Sequence, residues 1–216
     1  MRNPRLIKSH LERGKIAKGA KYIYVARNPE DAFVSYFHFL PGFQGLAPDD
    51  LTDMDLFFDA IWASHRSSVW DHYMGWYEVR DDPNVLWVFF EDLKSDFRGQ
   101  IERVADFMEV PEDVRGGRVE EALEKASFKF MSSQEQKHHF DDHFIFDIVK
   151  VSMGFPEDRK VSEMGSKVRQ GKTGRGSQIP RDLRKRMAEQ WKKKVTPETN
   201  CQDYDSFRSS FRNLRD

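Results

Sequence analysis

One stretch, Lys21–Leu40, constrains the fold more than any other part of the sequence; it is KYIYVARNPEDAFVSYFHFL. Residues 21–26 are β-branched and aromatic, which is typical of a buried strand. Asn28 suits a helix N-cap, Pro29 suits the first helical position, and the two acidic residues that follow favour the positive end of a helix dipole. The stretch therefore predicts a strand, a tight turn and an amphipathic helix.

Two polar side chains of this stretch are candidates for holding a ligand. Arg27 lies where the predicted strand ends, and ligands of α/β folds bind at the carboxyl ends of strands. Its guanidinium can make two parallel hydrogen bonds to a phosphate, and Ser35 on the following helix can add a hydroxyl. The residues alone leave another interpretation open, in which Arg27 pairs with a nearby carboxylate and Ser35 is an ordinary helix residue.

The composition limits the class of protein. The 216 residues carry 35 Lys and Arg against 36 Asp and Glu, a net charge of −1 that gives no support to a nucleic-acid partner. The single cysteine, Cys201, excludes an internal disulfide and favours a reducing compartment. No apolar run approaches the roughly 18 residues that cross a bilayer, and the N-terminus lacks the apolar centre of a signal peptide. We expect a soluble cytoplasmic protein without a membrane partner.

Further elements follow the first strand and helix. Residues 85–90 form an apolar run that predicts a second buried strand, and an aromatic stripe within 48–81 recurs at helical intervals and is interpreted as core. Helices are predicted from about 95 to 108, from 112 onward and from about 180 to 194. The sequence after about residue 200 is interpreted as a polar C-terminal tail with a few anchoring aromatics. The pattern indicates an α/β domain.

The motif RNPEDAFVSYFHF closely resembles the segment of cytosolic sulfotransferases that holds the 3′-phosphate of their sulfate donor, 3′-phosphoadenosine 5′-phosphosulfate (PAPS). The resemblance implies that Arg27 and Ser35 bind this phosphate. It also implies a three-layer, P-loop-type α/β fold around a central parallel sheet. Phe39, in the same helix, matches an aromatic residue of the family's acceptor pocket, although a phenylalanine here can equally be core.

Near the N-terminus, NPRLIKSHL resembles the family segment that ends in Lys-Thr/Ser-His-Leu and carries the catalytic base. From the residues alone, 5–11 favour a short strand followed by a loop, and a lone histidine there is usually structural or solvated. The resemblance implies that His10 accepts the proton of an acceptor hydroxyl and that Lys8 stabilises the moving sulfuryl group. Glu12 stands where the family usually has proline.

Two phenylalanines match positions near the donor nucleotide. Phe90 follows the second strand where the family often has a tyrosine, so the ring is kept and the hydroxyl is lost. Phe128 belongs to Ala126-Ser127-Phe128, which resembles the family's Thr-Ser-Phe beside adenine. The resemblance implies that Phe128 stacks on the base, whereas the residues alone allow a core phenylalanine.

The basic, glycine-containing stretch 167–176 favours contact with a phosphate through backbone N–H groups and guanidinium. A nucleic-acid patch or a solvated loop are the alternatives from chemistry alone. The stretch resembles the family's Arg-Lys-Gly-X-X-Gly segment, which closes over the 3′-phosphate, and so implies Arg169 and Gly171 as ligands. Gln170 replaces the lysine, and Arg175 with the two residues after it replaces the Asp-Trp-Lys that normally follows.

Two clusters of possible ligands are not assigned to catalysis. Glu91 and Asp92 are adjacent residues leaving a strand, so their side chains point in opposite directions and are interpreted as structural. The stretch 137–143 (KHHFDDH) has zinc-type ligands, but His138 and His143 are five residues apart and no second cluster supports them. We expect no metal.

The family's N-terminal loop, Pro-Lys-Ser-Gly-Thr-Thr-Trp, does not occur in this sequence, and residue 1 matches a point inside the family pattern. The sequence thus predicts one N-terminally truncated domain over residues 1–216. The expected reaction is transfer of a sulfuryl group from PAPS to the hydroxyl of a small alcohol or phenol. The alternative is a non-catalytic module that binds a nucleotide or polyanion through the same basic residues. The sequence does not set the oligomeric state.

Overall fold

Two parallel strands and the helix between them form the framework of the site. The computed structural model describes residues 5–43, 53–63, 68–133, 168 and 170–211. Within these residues β1 (Tyr22–Ala26) pairs in parallel with β2 (Val85–Phe89), in a register that places Tyr22 opposite Val85 and Ala26 opposite Phe89. Both predicted strands and the parallel sheet are therefore confirmed.

Helices account for most of the remaining described residues. The α-helices are α1 (Pro29–Phe43), α2 (Met54–Phe57), α3 (Val69–Tyr77), α4 (Phe90–Ser95), α5 (Phe97–Phe107), α6 (Glu112–Lys125), α7 (Phe128–Met131), α8 (Arg181–Lys194), α9 (Thr196–Thr199) and α10 (Tyr204–Ser210). Short 3-10 turns cover Arg13–Lys15 and Arg175–Gln178, and a π-helical turn covers Phe58–Trp62.

The start of α1 follows from its sequence. The side-chain oxygen of Asn28 accepts hydrogen bonds from the backbone N–H groups of Glu30 (2.9 Å) and Asp31 (3.3 Å), as an N-cap does. Pro29 occupies the first helical position, where a missing N–H costs nothing. The turn between β1 and α1 is thereby fixed, and it sets the direction in which Arg27 leaves the sheet.

An aromatic core packs against the sheet. Tyr24 of β1 lies edge-on to Trp87 of β2, with ring centroids 4.4 Å apart, and stacks on Trp76 of α3 at 5.3 Å. Tyr73 and Trp76 are both buried, as the interpretation of the aromatic stripe as core predicts. Each such ring removes a large apolar surface from water, which makes this layer the main stabilising contribution near the site.

The C-terminal segment is more structured than a polar tail. The side chain of Asp203 accepts from the backbone of Ser206, whose hydroxyl in turn binds Asp203, and this capping box begins α10. Phe207 is fully buried, and its ring lies parallel to that of Tyr73 with centroids 6.2 Å apart. Phe211 packs on Trp87 at 4.7 Å. The expected anchoring aromatics thus belong to a helix that completes the core.

The N-terminal segment differs from its prediction. Residues 5–12 form no strand, and the first regular element is the 3-10 turn Arg13–Lys15. Leu6 and Ile7 are 84% and 78% exposed, so they provide none of the burial that would hold a strand in place. The expected short strand over 5–11 is therefore wrong.

Among the helices that the structure describes, none combines the length and the apolar character needed to cross a bilayer.

Candidate functional site

Arg27 lies at the carboxyl end of β1, as the sequence predicts for a phosphate ligand. Its guanidinium carbon lies 4.4 Å from the ring centroid of Phe90, the residue that directly follows β2. One terminal nitrogen donates to the carbonyl of Lys172 at 3.2 Å. The structure thus brings the two strand ends and the basic loop together around one guanidinium, which a cation–π contact orients.

Arg27 is a partly buried cation with a hydrogen-bond donor that the described residues leave unused. Partial burial lowers its pKa, the carboxylates of Asp31 and Glu91 raise it, and the charge of Arg175 lowers it. An arginine stays protonated under all these influences. Its Nε is buried and has no hydrogen-bond partner in the part of the chain that the structure describes. Donor capacity is therefore left at this position.

Asp31 organises the basic loop, a role that the sequence analysis missed. Its carboxylate is only 3% exposed and accepts hydrogen bonds from the backbone N–H groups of Gly174 (2.8 Å), Arg175 (2.6 Å) and Gly176 (3.0 Å). We call these three bonds the Asp31 latch. The backbone N–H groups of residues 174–176 could bind a phosphate, but in this structure they already bind the carboxylate of Asp31.

Gly171 and Phe128 lie in direct contact. Gly171 has φ +59°, and a Cβ added there would lie 2.6 Å from Cδ2 of Phe128. The loop therefore needs glycine both for its backbone conformation and for this close approach. Phe128 begins α7 and is 41% exposed, which excludes the core interpretation and leaves its ring open to a ligand.

Ser35 and Phe39 extend the site along α1. Ser35 is half-buried and lies one turn beyond Asp31, so it is on the helix face that carries the latch. Phe39 lies a further turn along, half-buried, with its ring 6.4 Å from that of Tyr36. The positions fit the expected roles in phosphate and acceptor binding, which stay predictions.

The basic loop is described only in part. Gln170 is exposed, Gly171 contacts Phe128, and the carbonyl of Lys172 accepts from Arg27. Arg169 lies outside the described residues, as does the histidine-containing stretch 137–143. Their expected roles are therefore not tested by the structure.

His10 and Lys8 lie on the exposed N-terminal segment, which α3 holds through His72. Nε2 of His72 lies 3.2 Å from the carbonyl oxygen of Leu11, and Nδ1 lies 3.0 Å from the hydroxyl of Tyr24. A carbonyl oxygen can only accept, so Nε2 carries the proton, and in the neutral ring Nδ1 accepts from Tyr24. Burial lowers the pKa of His72, which favours this neutral form.

Glu91 and Asp92 serve separate structural partners, as the sequence predicts. Glu91 accepts from the backbone N–H of Asn28 at 2.9 Å and from the hydroxyl of Tyr204 at 2.6 Å. Asp92 forms a buried ion pair with Arg208 of α10. The two carboxylates therefore tie the strand ends to α1 and α10. No group of three possible metal ligands occurs among the described residues.

Comparison with known proteins identifies the class. A family model described as a sulfotransferase domain matches residues 1–153. The amine sulfotransferase of Oryctolagus cuniculus is 34% identical over 145 residues, 63% of this chain and 46% of that protein. Sulfotransferase 1C2 of Rattus norvegicus is 37% identical over 111 residues, 49% of this chain and 37% of the relative. The chain belongs to the sulfotransferase domain family, and it spans about half the length, or less, of these curated relatives.

Solved structures show the same fold. Mouse sulfotransferase SULT7A1 complexed with PAP superposes with a TM-score of 0.57 at 21% identity, covering 83% of this chain and 60% of that chain. Retinol dehydratase in a complex with retinol and PAP superposes with a TM-score of 0.54 at 21% identity, covering 82% of this chain and 47% of that chain. The α/β sulfotransferase fold expected from the sequence is thereby confirmed.

Proposed function

We propose that this chain is the domain of a PAPS-dependent sulfotransferase that binds the 3′-phosphate of the donor and carries the catalytic base. The observation that carries the proposal is the position of Arg27, whose guanidinium is oriented by Phe90 and by the Lys172 carbonyl at the carboxyl end of β1. Family membership and a fold shared with PAP complexes support it. We place the reaction in the cytoplasm, because a chain with one cysteine suits a reducing compartment.

The donor would be held mainly through its 3′-phosphate and its adenine. Arg27 and Ser35 supply a guanidinium and a hydroxyl, and Arg169, Gln170 and the backbone N–H of Gly171 close over the same phosphate. The exposed ring of Phe128 offers a stacking surface for adenine. Phe90 acts on the phosphate indirectly, by orienting Arg27.

The reaction is an in-line transfer to an alcohol or phenol. A bond forms from the acceptor oxygen to sulfur while the bond from sulfur to the bridging phosphate oxygen breaks. The product nucleotide, 3′-phosphoadenosine 5′-phosphate (PAP), leaves with the electron pair. His10 takes the hydroxyl proton as general base, and Lys8 stabilises the charge that develops on the transferred group. The site residues position the reactants, and the scheme requires no metal.

The acceptor is proposed to be a small, largely apolar molecule with a hydroxyl group. Phe39 lies on α1 one turn beyond Ser35, where its ring can line a pocket next to the donor site. Retinol dehydratase, one of the proteins with the same fold, was crystallised with retinol and with androsterone. Both of those ligands are largely apolar molecules that carry a hydroxyl group, which supports this class without selecting a compound.

Calorimetric titration with PAP tests the binding claim. Arg27→Gln removes the guanidinium that we place on the 3′-phosphate, and we expect PAP to bind at least tenfold more weakly, since charge-assisted hydrogen bonds contribute about 1.5–3 kcal/mol. Arg80→Gln is the matched control, because Arg80 also lies over an aromatic ring, that of Tyr77 at 3.9 Å. Equal PAP affinity in the Arg27→Gln variant and the parent would reject the proposal.

Turnover with PAPS and a panel of phenols and alcohols separates an enzyme from a binding module. We expect the parent to form a sulfated product and His10→Ala to lose most of this activity, with PAP affinity unchanged. A parent that binds PAP without turnover would support the non-catalytic alternative. Full activity in His10→Ala would show that another group is the base.

A further inference from the structure

Arg175 carries a buried guanidinium for which the described residues provide no ion-pair partner. The residue is 7% exposed, and it makes no salt bridge within the residues that the structure describes. One terminal nitrogen donates to the side chain of Gln178 at 3.3 Å, while Nε is buried and finds no acceptor among the described residues. Burying a cation in this state is costly unless an acceptor group completes its surroundings.

The Asp31 latch fixes the backbone of Arg175 but does not satisfy its side chain. One carboxylate oxygen of Asp31 accepts from the N–H groups of Arg175 and Gly176, and the other accepts from Gly174. Both oxygens of Asp31 therefore accept from backbone donors. The backbone of Arg175 is held in place, while its guanidinium keeps N–H groups that can bind a ligand.

Three observations place this guanidinium beside the proposed phosphate site. Arg27 binds the carbonyl of Lys172, three residues before Arg175 on the same loop. The positive charge of Arg175 lowers the pKa of Arg27 at the strand end and of His38 on α1. Ser35 is on the same face of α1 as Asp31 and His38, four residues after the first and three before the second. The charge of Arg175 therefore acts on Arg27 and on the helix face that carries Ser35.

We propose that Arg175 is an additional donor-binding residue, which forms with Arg27 a two-guanidinium clamp on the 3′-phosphate of the nucleotide. The inference rests on the proposed function and adds a residue at which this chain departs from the family pattern. A phosphate monoester carries close to two negative charges at neutral pH, and each guanidinium can bind two of its oxygens. The clamp favours a 3′,5′-bisphosphate over a 5′-monophosphate.

A comparison of two nucleotides isolates this contact. PAP and adenosine 5′-monophosphate differ by the 3′-phosphate, so we would measure the affinity of both for the parent and for Arg175→Gln. PAP is expected to bind the variant at least tenfold more weakly, with the monophosphate affinity changed less than twofold. Lys185→Gln removes one positive charge from an exposed site on the neighbouring helix and should change neither affinity.

The outcomes separate the inference from the proposed function. If the parent prefers PAP but Arg175→Gln keeps the same ratio of affinities, the clamp is wrong and the proposed function stands. If the parent shows no preference for PAP, both fail. Arg175→Lys keeps the charge and loses the planar fork, and should show an intermediate PAP affinity with a native melting temperature. If Arg175→Gln does not fold, Arg175→Lys decides: the same ratio of PAP to monophosphate affinity as in the parent would overturn the clamp.

Discussion

The Arg27 site and the His10 segment are both needed by the proposed reaction, yet the protein holds them very differently. Around Arg27, buried and partly buried hydrogen bonds of Asp31 and Glu91 join the strand ends, α1, α10 and the basic loop. The His10 segment is exposed along residues 5–11, and His72 connects it to the fold through backbone hydrogen bonds to Leu11 and His10.

This difference suits the Arg27 site to binding the donor and the His10 segment to catalysis. Groups that are fixed before binding lose little entropy when a ligand arrives, so the Arg27 site is suited to affinity and selectivity. A lightly held segment adapts at low cost, which suits a base that must approach acceptors of varied shape. We therefore expect mutations in the first region to change stability and donor binding, and mutations in the second to change turnover.

The largest expected effect comes from breaking the latch. Asp31→Ala leaves three backbone N–H groups of the loop without their acceptor, and should lower the free energy of unfolding by about 3 kcal/mol. Chemical denaturation measures this. Asp81→Ala is the control, since Asp81 is largely exposed beside Arg80. A loss below about 0.5 kcal/mol, as for an ordinary surface substitution, would show that the latch is not a stabilising contact.

A smaller loss is expected at the α10 contact. Burial raises the pKa of Tyr204, so its hydroxyl stays protonated and donates to Glu91. Tyr204→Phe removes this hydroxyl and should cost about 1–2 kcal/mol of stability, and it should also weaken PAP binding by loosening the strand end. Tyr77→Phe serves as the comparison on the same side of the core. Equal stability of parent and Tyr204→Phe would contradict a role for this bond.

The His72 connection predicts a pH dependence. Its folded pKa lies below the 6.5 of an unfolded histidine because burial, together with the charge of His10, outweighs the raising effects of Glu12 and of the backbone bonds to Leu11 and His10. Between the folded pKa and the unfolded value the unfolded chain binds more protons, so stability falls as the pH drops from 7 through 6.5 toward the folded pKa. His72→Gln should make this decline shallower, by less than about 1 kcal/mol, because solvent screens a half-exposed ring.

Denaturation of parent and His72→Gln at several pH values measures this difference. His38 is a second histidine whose pKa is lowered, by burial and by the charge of Arg175. His38→Gln therefore provides the comparison for a histidine outside the connection. A parent-like slope in His72→Gln would mean that the neutral ring does not contribute to the native state.

The smallest effect on stability is expected at the proposed catalytic residues. Lys8→Ala and His10→Ala alter exposed side chains, so the free energy of unfolding should change by less than about 0.5 kcal/mol and PAP affinity should stay the same. Only turnover should fall. A clear loss of stability in either variant would show that the segment is packed more firmly than its exposure indicates, and the division between the two regions would fail.

Local patterns in the sequence were enough to predict the framework. The apolar runs at 22–26 and 85–89 are strands, and the Asn-Pro turn starts a helix because capping depends on adjacent residues. Arg27 and Phe90 end neighbouring parallel strands, so their approach follows once the strands are paired. Gly171 and Phe128, which the resemblance assigns to the 3′-phosphate and to adenine, lie in contact, and their roles in donor binding stay predictions.

Contacts between distant backbone groups could not be predicted in the same way. Asp31 was interpreted as a charge at a helix start and as a possible partner of Arg27. Its role in the latch was missed because the loop partners lie 143–145 residues away and donate through backbone N–H groups that leave no residue signature. The helix after residue 200 did have a signal. Asp203 and Ser206 form a capping pair, and Tyr204, Phe207 and Phe211 recur at intervals of three and four.

The stacking of Phe207 on Tyr73 has a consequence for the stability of the proposed donor site. The hydroxyl of Tyr73 donates to the backbone carbonyl of Arg27, so the C-terminal helix supports the ring that holds the arginine's own peptide unit. On heating, detachment of α10 and loss of the proposed nucleotide binding should thus occur together. An affinity tag or a trimmed end that strains α10 would therefore impair the proposed donor site from the far end of the chain.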